Sequence, residues 1–280
     1  MLLASLLLAL AQQIASIAKP LASTVGVAAI DVSTGNRIAA VRGDERFPMG
    51  SVYKLPIALT VLKQVDEEKL FLTDDATITP DRFAPGWSPL RDAAKGKPIN
   101  TTVGALLQQM VSVSDNTASD YLLDLVGGGA VVTKRMRELG IKDIRIDRRE
   151  RDIAADIKAK GAAAYVRDVR DTATPAAMAA LLLKLAKGQD GLTAESHEVL
   201  VRGMTETRTG LERIRAGIPA DALLAHKTGT MPLVVNDAGL ITRPDGTQLV
   251  LVVFTKGGKA KDEAREKTIA EIARAAYLSF

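Results

Sequence analysis

Strand-like runs lie at both ends of this chain, and helical patterns fill the space between them. Val25–Val32 and Arg37–Arg42 are short strand-like runs, and "STGN" between them is turn chemistry, so they read as a hairpin. Much later, Ala222–Thr230, Val234–Thr242 and Gln248–Lys256 read the same way, with "RPDG" turning between the last two. The simplest arrangement is one antiparallel sheet built from both termini, with the helical middle inserted between its strands. The expected class is α+β: a five-stranded antiparallel sheet flanked by terminal helices, plus an all-helical domain. Residues 12–50 and 190–280 are assigned to the sheet domain and 51–189 to the helical one.

Helices are expected over Gln12–Ala22, Ser51 to about Leu70, Thr102–Val111, Asp115–Val126, Ala130–Leu139 and Asp262–Leu278. Thr174 as N-cap and Pro175 at the first helical position open another, ending near Gly188. Residues 145–173 are polar, charged and poor in periodicity. A long segment of that kind inside a compact domain is usually functional or disordered.

Composition excludes several classes. With 280 residues, 47% of them hydrophobic, the chain is large enough for a real core. The net charge is only +4 and the signs mostly alternate. No Lys/Arg stripe interleaves with aromatics, so no nucleic-acid partner is expected. The chain has no cysteine and two histidines, and no H-E-x-x-H. Neither a thiolate metal site nor a catalytic zinc is expected, and no cofactor. "MLLASLLLALA" ends in an A-x-A pattern and is too short to span a bilayer. Residues 1–11 are read as a signal peptide, truncated because it lacks a positive n-region, and the mature protein as periplasmic or secreted. The competing reading is the front of an N-terminal helix. No stable membrane insertion is expected, and nothing calls for more than a monomer.

The chemistry is concentrated in three short stretches. "PMGSVYKLPIAL" places Ser51 and Lys54 one helical turn apart in an apolar run. A lysine is rarely buried without a role. Ser51 needs a base to become a nucleophile, and burial beside a second cation, Lys227, would push the Lys54 pKa toward base-like values. Residues 114–116 read Ser-Asp-Asn between two helical segments, and 227–229 read Lys-Thr-Gly on a late strand, followed by Thr230. One S-x-x-K is weak evidence; all three, in this order and on these elements, are strong.

This is the motif set of penicillin-recognising serine enzymes. With "RFPMGSVYK", "RIDRRE", "RDTATPAAM", "AHKTGT" and "IAEIA", the chain resembles a class A serine β-lactamase over nearly its whole length. "WSPLRD", "GLERIRAGIPA" and "NDAGLI" are closest to the branch with a long omega loop, here about 145–174, which includes the PER-type enzymes. The resemblance implies a β-lactamase/transpeptidase-like fold and a small-molecule β-lactam substrate, penicillins and cephalosporins, hydrolysed through an acyl-serine.

By that resemblance Ser51, Lys54, Ser114, Glu150 and Lys227 are catalytic. Ser114 relays a proton to the opened lactam, and Glu150 activates the deacylating water. The backbone N–H groups of Ser51 and Thr230 form the oxyanion hole. Arg213, Thr228 and Thr230 meet the substrate carboxylate, with Lys227 adding positive field. Asn116 holds a substrate amide or Lys54. Gly229 lets substrate approach the strand edge, and Trp87 sits at the mouth to stack on substrate. Asp115 caps the next helix, and Asp171 pairs with Arg148 to close the loop neck. His226 should point away from Lys227 and pack under the sheet.

The pattern departs at "RDIA", where the family continues P-E-L-N. Ala154 stands in place of the asparagine that helps hold the water, leaving Asp152, Asp156 or a backbone carbonyl for that task. A penicillin-binding protein or sensor that deacylates slowly, or a D,D-carboxypeptidase or esterase on the same fold, would use the same serine and lysines.

Overall fold

The computed structural model describes the backbone of residues 2–280 and the side chains from residue 9 onward. Along the chain come α1 (Leu2–Ala18), β1 (Thr24–Asp31), β2 (Arg37–Val41) and β3 (Phe47–Pro48). A 3₁₀ turn, Gly50–Tyr53, leads into α2 (Lys54–Asp66), β4 (Asp75–Ile78), α3 (Pro89–Ala94) and β5 (Ile99–Thr102). Then follow α4 (Val103–Gln108), a π-helical turn over Gln109–Val113, α5 (Asn116–Leu125) and α6 (Gly129–Glu138). After α7 (Glu150–Lys160), α8 (Ala162–Arg167) and β6 (Thr172–Ala173) come α9 (Pro175–Ala186), α10 (Ala194–Thr205) and α11 (Ile214–Gly217). The chain closes with β7 (Leu223–Met231), β8 (Val234–Thr242), β9 (Gln248–Lys256) and α12 (Asp262–Leu278).

The sheet is antiparallel and five-stranded, in the order β2-β1-β9-β8-β7. The N-terminal hairpin therefore docks on the last strand of the chain, with Ala28 opposite Val252. Alternation along β9 divides the core. Leu249, Leu251 and Val253 face α1, α11 and α12 through Leu10, Ile14, Ile214, Ile269 and Ile272. Val250, Val252 and Phe254 face the other way, into a core shared with α2, α5 and α9. Strand β7 is left as an edge.

Helix α1 begins well before the expected start at Gln12 and runs through Ala9-Leu10-Ala11, with Leu10 and Ile14 buried. Residues 1–8 of the expected leader lie outside those whose side chains are described. Thr102, Asp115 and Thr174 each cap as expected, accepting the N–H groups of Ala105, Ala118 and Ala177.

The larger difference lies in 145–173. Its apolar period is limited to Ile153 and Ile157, yet it folds into α7 and α8. Charge pairs do the ordering: Arg149 with Asp152 and Lys160 with Asp156 stabilise α7 along its length. The few apolar side chains, Ile153, Ile157 and Tyr165, pack on Val234 and Met231 at the β7–β8 turn.

Candidate active site

The 3₁₀ turn at Gly50–Tyr53 carries Ser51 against the edge strand β7. Two glycines make the approach possible. A Cβ on Gly50, at φ 51°, would lie 3.3 Å from Thr230 N. A Cβ on Gly229 would fall on the Met49 carbonyl oxygen and 3.0 Å from Ser51 N. The Gly50–Ser51 backbone thus lies directly against Gly229–Thr230. The space where a Gly229 side chain would stand is taken by the turn before Ser51.

Lys54, the first residue of α2, is fully buried. Its Nζ donates to Ser114 O at 2.7 Å, to Asn116 Oδ1 at 2.7 Å and more weakly to Ser114 Oγ at 3.4 Å. It also pairs with Glu150 Oε1 at 3.2 Å. Burial lowers the Lys54 pKa, while the Glu150 carboxylate pulls it back up. Lys227, equally buried, donates from Nζ to Ser114 Oγ at 2.8 Å. Its pKa lies well below the usual lysine value because of burial first and the Lys54 charge second. Ser114 is thus bracketed by two ammonium groups. It sits at φ 64°, the left-handed conformation that ends the π-helical turn and aims its side chain inward.

Of the alternatives for Asn116, the structure shows it holding Lys54, with Nδ2 donating to Pro85 O at 3.0 Å. Asp115 is structural: besides Ala118 N–H it takes Ser88 Oγ–H and the Leu90 N–H.

Glu150 is the first residue of α7 and is buried. Apart from Lys54 Nζ, its Oε1 meets no donor among the described residues. The Arg148–Asp171 pair closes the loop neck as expected, with Nε to Oδ2 at 2.6 Å. Asp152 and Asp156, the candidates for holding a water, are instead tied to arginines: Asp152 to Arg149, and Asp156 to Arg148 and Arg170. Ala154, one turn beyond Glu150 on the same face, lines the cavity and leaves room beside the carboxylate.

Asp120 is a residue that the motif reading misses. It accepts the Glu150 N–H at 2.6 Å and pairs with Arg151 Nε at 3.0 Å. Burial pushes its carboxyl up to about 6. The signal was present: Asp120 lies four residues after Asn116, on the same face of α5.

All of this opens on a cavity of about 880 Å³. Its wall includes Ser51, Trp87, Ser114, Asn116, Glu150, Arg213, Thr228 and Thr230. Ile157 and Lys158 from α7, with Arg208, Met231 and Asp262, extend it beyond the expected residues. Lys54 and Lys227 lie behind the wall. Arg213 is buried: its guanidinium donates to Thr230 Oγ1 at 2.7 Å and Asn236 O at 3.0 Å, and pairs with Glu266 at 3.1 Å. Thr228 Oγ1 bonds Thr209 Oγ1. Trp87 is 59% exposed at the mouth, its Nε1 anchored on Val113 O at 2.8 Å. His226 faces away, bonded to Asp237 at 2.9 Å. Among the described residues no group of His, Cys, Asp and Glu is gathered that could hold a metal ion.

Comparisons with known proteins agree on what this chain resembles. A profile of the Beta-lactamase enzyme family matches residues 9–280. The extended-spectrum β-lactamase PER-1 of Pseudomonas aeruginosa is 34% identical over 96% of this chain and 86% of its own length. The β-lactamase VEB-1 of the same organism is 32% identical over 94% of this chain and 87% of its own. Among solved structures, a reconstructed ancestral class A β-lactamase of Gram-negative bacteria superposes with a TM-score of 0.87 at 36% identity, covering 97% of this chain and 100% of that one. A β-lactamase from Chitinophaga pinensis gives 0.86 at 36%, covering 94% and 96%.

Proposed function

The chain belongs to the β-lactamase enzyme family, in class A, and from that premise we propose how its residues divide the work. The activity is hydrolysis of the β-lactam amide bond of penicillins and cephalosporins through an acyl-serine. One observation carries the assignment of roles: a single buried ammonium, Lys54, contacts Ser114, Asn116 and Glu150 at once, one helical turn from Ser51.

Ser51 Oγ attacks the lactam carbonyl, and its proton passes into the Lys54–Glu150 pair. The carbonyl oxygen gains charge between the N–H groups of Ser51 and Thr230. Ser114, held between Lys54 and Lys227, gives a proton to the departing lactam nitrogen and is reprotonated from the same pair. Thr228, Thr230 and Arg213 receive the substrate carboxylate, with Lys227 adding field from behind the wall. Trp87 stacks at the mouth, and Asn116 fixes Lys54. Glu150 then takes a proton from a water that attacks the ester, and Ser51 leaves with its proton restored. Gly229 contributes by admitting the turn that carries Ser51.

Export to the periplasm or medium, a monomeric state, and the division into a sheet domain and a helical domain complete the reading. Among the described residues no helix is long and apolar enough to cross a membrane. Cell fractionation and sedimentation test the first two.

The enzymatic test pairs turnover of a chromogenic cephalosporin with intact mass after mixing with benzylpenicillin. The native protein should turn over many times with little mass shift, and Glu150→Gln should retain one opened β-lactam per chain. A native protein that stays stoichiometrically acylated would instead be a penicillin-binding sensor. Equal acylation of native and Glu150→Gln protein would remove Glu150 from deacylation.

A further inference from the structure

Asn236 lies on β8 opposite Gly229 and is fully buried. Its side chain reaches out of the sheet to the segment that precedes the nucleophile. Nδ2 donates to Pro48 O at 2.8 Å and to Met49 O at 3.0 Å. Oδ1 accepts the Thr255 N–H at 2.9 Å. Only this orientation of the amide satisfies all three partners, because two carbonyls need the NH₂ and one N–H needs the oxygen. The main-chain carbonyl of Asn236 in turn accepts from Arg213 at 3.0 Å.

The consequence lies in the peptide planes. The Pro48 carbonyl belongs to the plane that carries the Met49 N–H, and the Met49 carbonyl to the plane that carries the Gly50 N–H. The Met49 N–H is itself held by Asp171 O at 3.1 Å. With both planes clamped, the Ser51 N–H is directed only through the two dihedrals of Gly50. That glycine is pressed against Thr230 N, with 3.3 Å to its missing Cβ.

We propose that Asn236 is a positioning residue for the oxyanion hole: its carboxamide fixes the two peptide groups ahead of Ser51 and so aims the Ser51 N–H at the substrate carbonyl oxygen. The proposal deepens the assignment of Ser51 and Thr230 above and rests on it. Asn236 touches neither substrate nor reacting atoms. Its effect belongs to the geometry of one donor, and a donor misplaced by a fraction of an ångström loses much of its worth.

The test reads that donor directly. The acyl-enzyme of a penicillin labelled at the lactam carbonyl is formed in a Glu150→Gln background, alone and with Asn236→Ala or the near-isosteric Asn236→Asp. Infrared difference spectra then give the ester carbonyl stretch. Hydrogen bonds from the hole polarise this bond and lower its frequency. Both variants should move the band to higher frequency and slow acylation by ~10–100-fold, with ground-state affinity little changed. In Asn236→Asp an ionised carboxylate faces two carbonyls. Acid should reverse part of the shift, because the protonated form can donate to one of them.

Only molecules that have taken up the label contribute, so unfolded protein does not enter the signal. A band and an acylation rate at the parent values in Asn236→Ala would overturn the proposal. If that variant yields no acylated protein, an unshifted band in Asn236→Asp overturns it alone. If Glu150→Gln by itself retains no acyl group, the reading of Glu150 fails instead. The Asn236 proposal is then decided by kcat/KM with Glu150 in place, which reports acylation.

Discussion

Arg148 Nε lies 2.6 Å from Asp171 Oδ2, and the other oxygen of that carboxylate takes the N–H groups of Asp147 and Arg148, at 2.7 and 3.0 Å. The Asp171 main-chain carbonyl binds the Met49 N–H. One residue therefore joins the neck of the loop that carries Glu150 to the turn that carries Ser51. Burial raises the Asp171 carboxyl pKa, and its hydrogen bonds from Asp147 N–H and Arg148 oppose the rise. Arg148→Ala leaves the Asp171 carboxylate buried without its cation, which costs about 3–5 kcal/mol, whereas Asp171→Ala leaves Arg148 still paired with Asp156 and Asp168 and should cost less. Arg148→Ala and Asp171→Ala should melt earlier, and the surviving folded protein should hold more acyl-enzyme at steady state. Thermal melts combined with mass spectra taken during turnover would decide it; unchanged melting would show that the pair does not hold the neck.

Asp120 gives a pH dependence with a definite sign. Its folded-state carboxyl is raised to about 6 from 3.8, so the folded protein binds this proton more tightly than the unfolded chain does. The stabilisation from that proton is fully present below about pH 4 and is lost as pH rises through 6, a swing of up to about 3 kcal/mol. Asp120→Asn should remove the swing, gaining stability relative to the parent between pH 4.5 and 7.5 in denaturant titrations. Activity should respond the opposite way. The ionised form grips the Glu150 N–H and Arg151, so kcat should fall below pH 6 in the parent, and that limb should flatten in Asp120→Asn.

Gly229→Ala places a methyl group on the Met49 carbonyl, a main-chain atom that cannot swing aside. Overpacking of this kind costs about 1–3 kcal/mol. Because the atom displaced lies two residues before Ser51, kcat/KM should fall by ~10²-fold or more, well beyond what the loss of stability explains. Near-native kcat/KM in a folded Gly229→Ala protein would show that the turn has slack.

The Lys54–Glu150 pair makes a prediction about titration. Burial disfavours the ammonium, and the carboxylate at 3.2 Å favours it. Neutralising Glu150 removes the strongest of the groups that oppose desolvation, leaving Asp115 and Asp120, so the Lys54 pKa should fall further in Glu150→Gln. Carbon-13 NMR of labelled lysine side chains can follow this titration. A midpoint that does not move would mean that the two groups are uncoupled.

Arg213 shares its charge with Glu266 at 3.1 Å while pointing at Thr230. Arg213→Ala should raise KM by about tenfold for substrates bearing a carboxylate, with a smaller effect on kcat. Glu266→Gln releases the guanidinium from its internal partner and should lower KM for the same substrates. Steady-state kinetics on both variants, and on a carboxylate-esterified substrate that should be indifferent to them, separate charge recognition from packing.

Much of this was legible in the sequence because the decisive signals are local. Ser51 and Lys54 are one helical turn apart, Thr174-Pro175 announces a helix start, and β-period runs at both ends require a sheet that joins the termini. What escaped depends on partners distant in the chain or on charge rather than apolar period. The helices within 145–173 rest on Arg–Asp pairs and on a single i,i+4 apolar pair, Ile153 and Ile157, too short a stripe to stand out in the sequence. Glu266 meets Arg213 across 53 residues, and Asn236 reaches Pro48 across 188. That the turn before Ser51 packs on the Gly229 Cα is likewise visible only in the fold.

Trp87 is the only tryptophan in the chain, and it stands at the rim of the cavity with its indole N–H pinned to Val113 O. Its emission therefore has no background from a buried indole elsewhere. A ligand entering past it changes the polarity on one exposed face while the anchored edge stays put. The protein thus carries a built-in optical gauge at its own doorway, and stopped-flow fluorescence can time the arrival of a substrate and the departure of its product without a label.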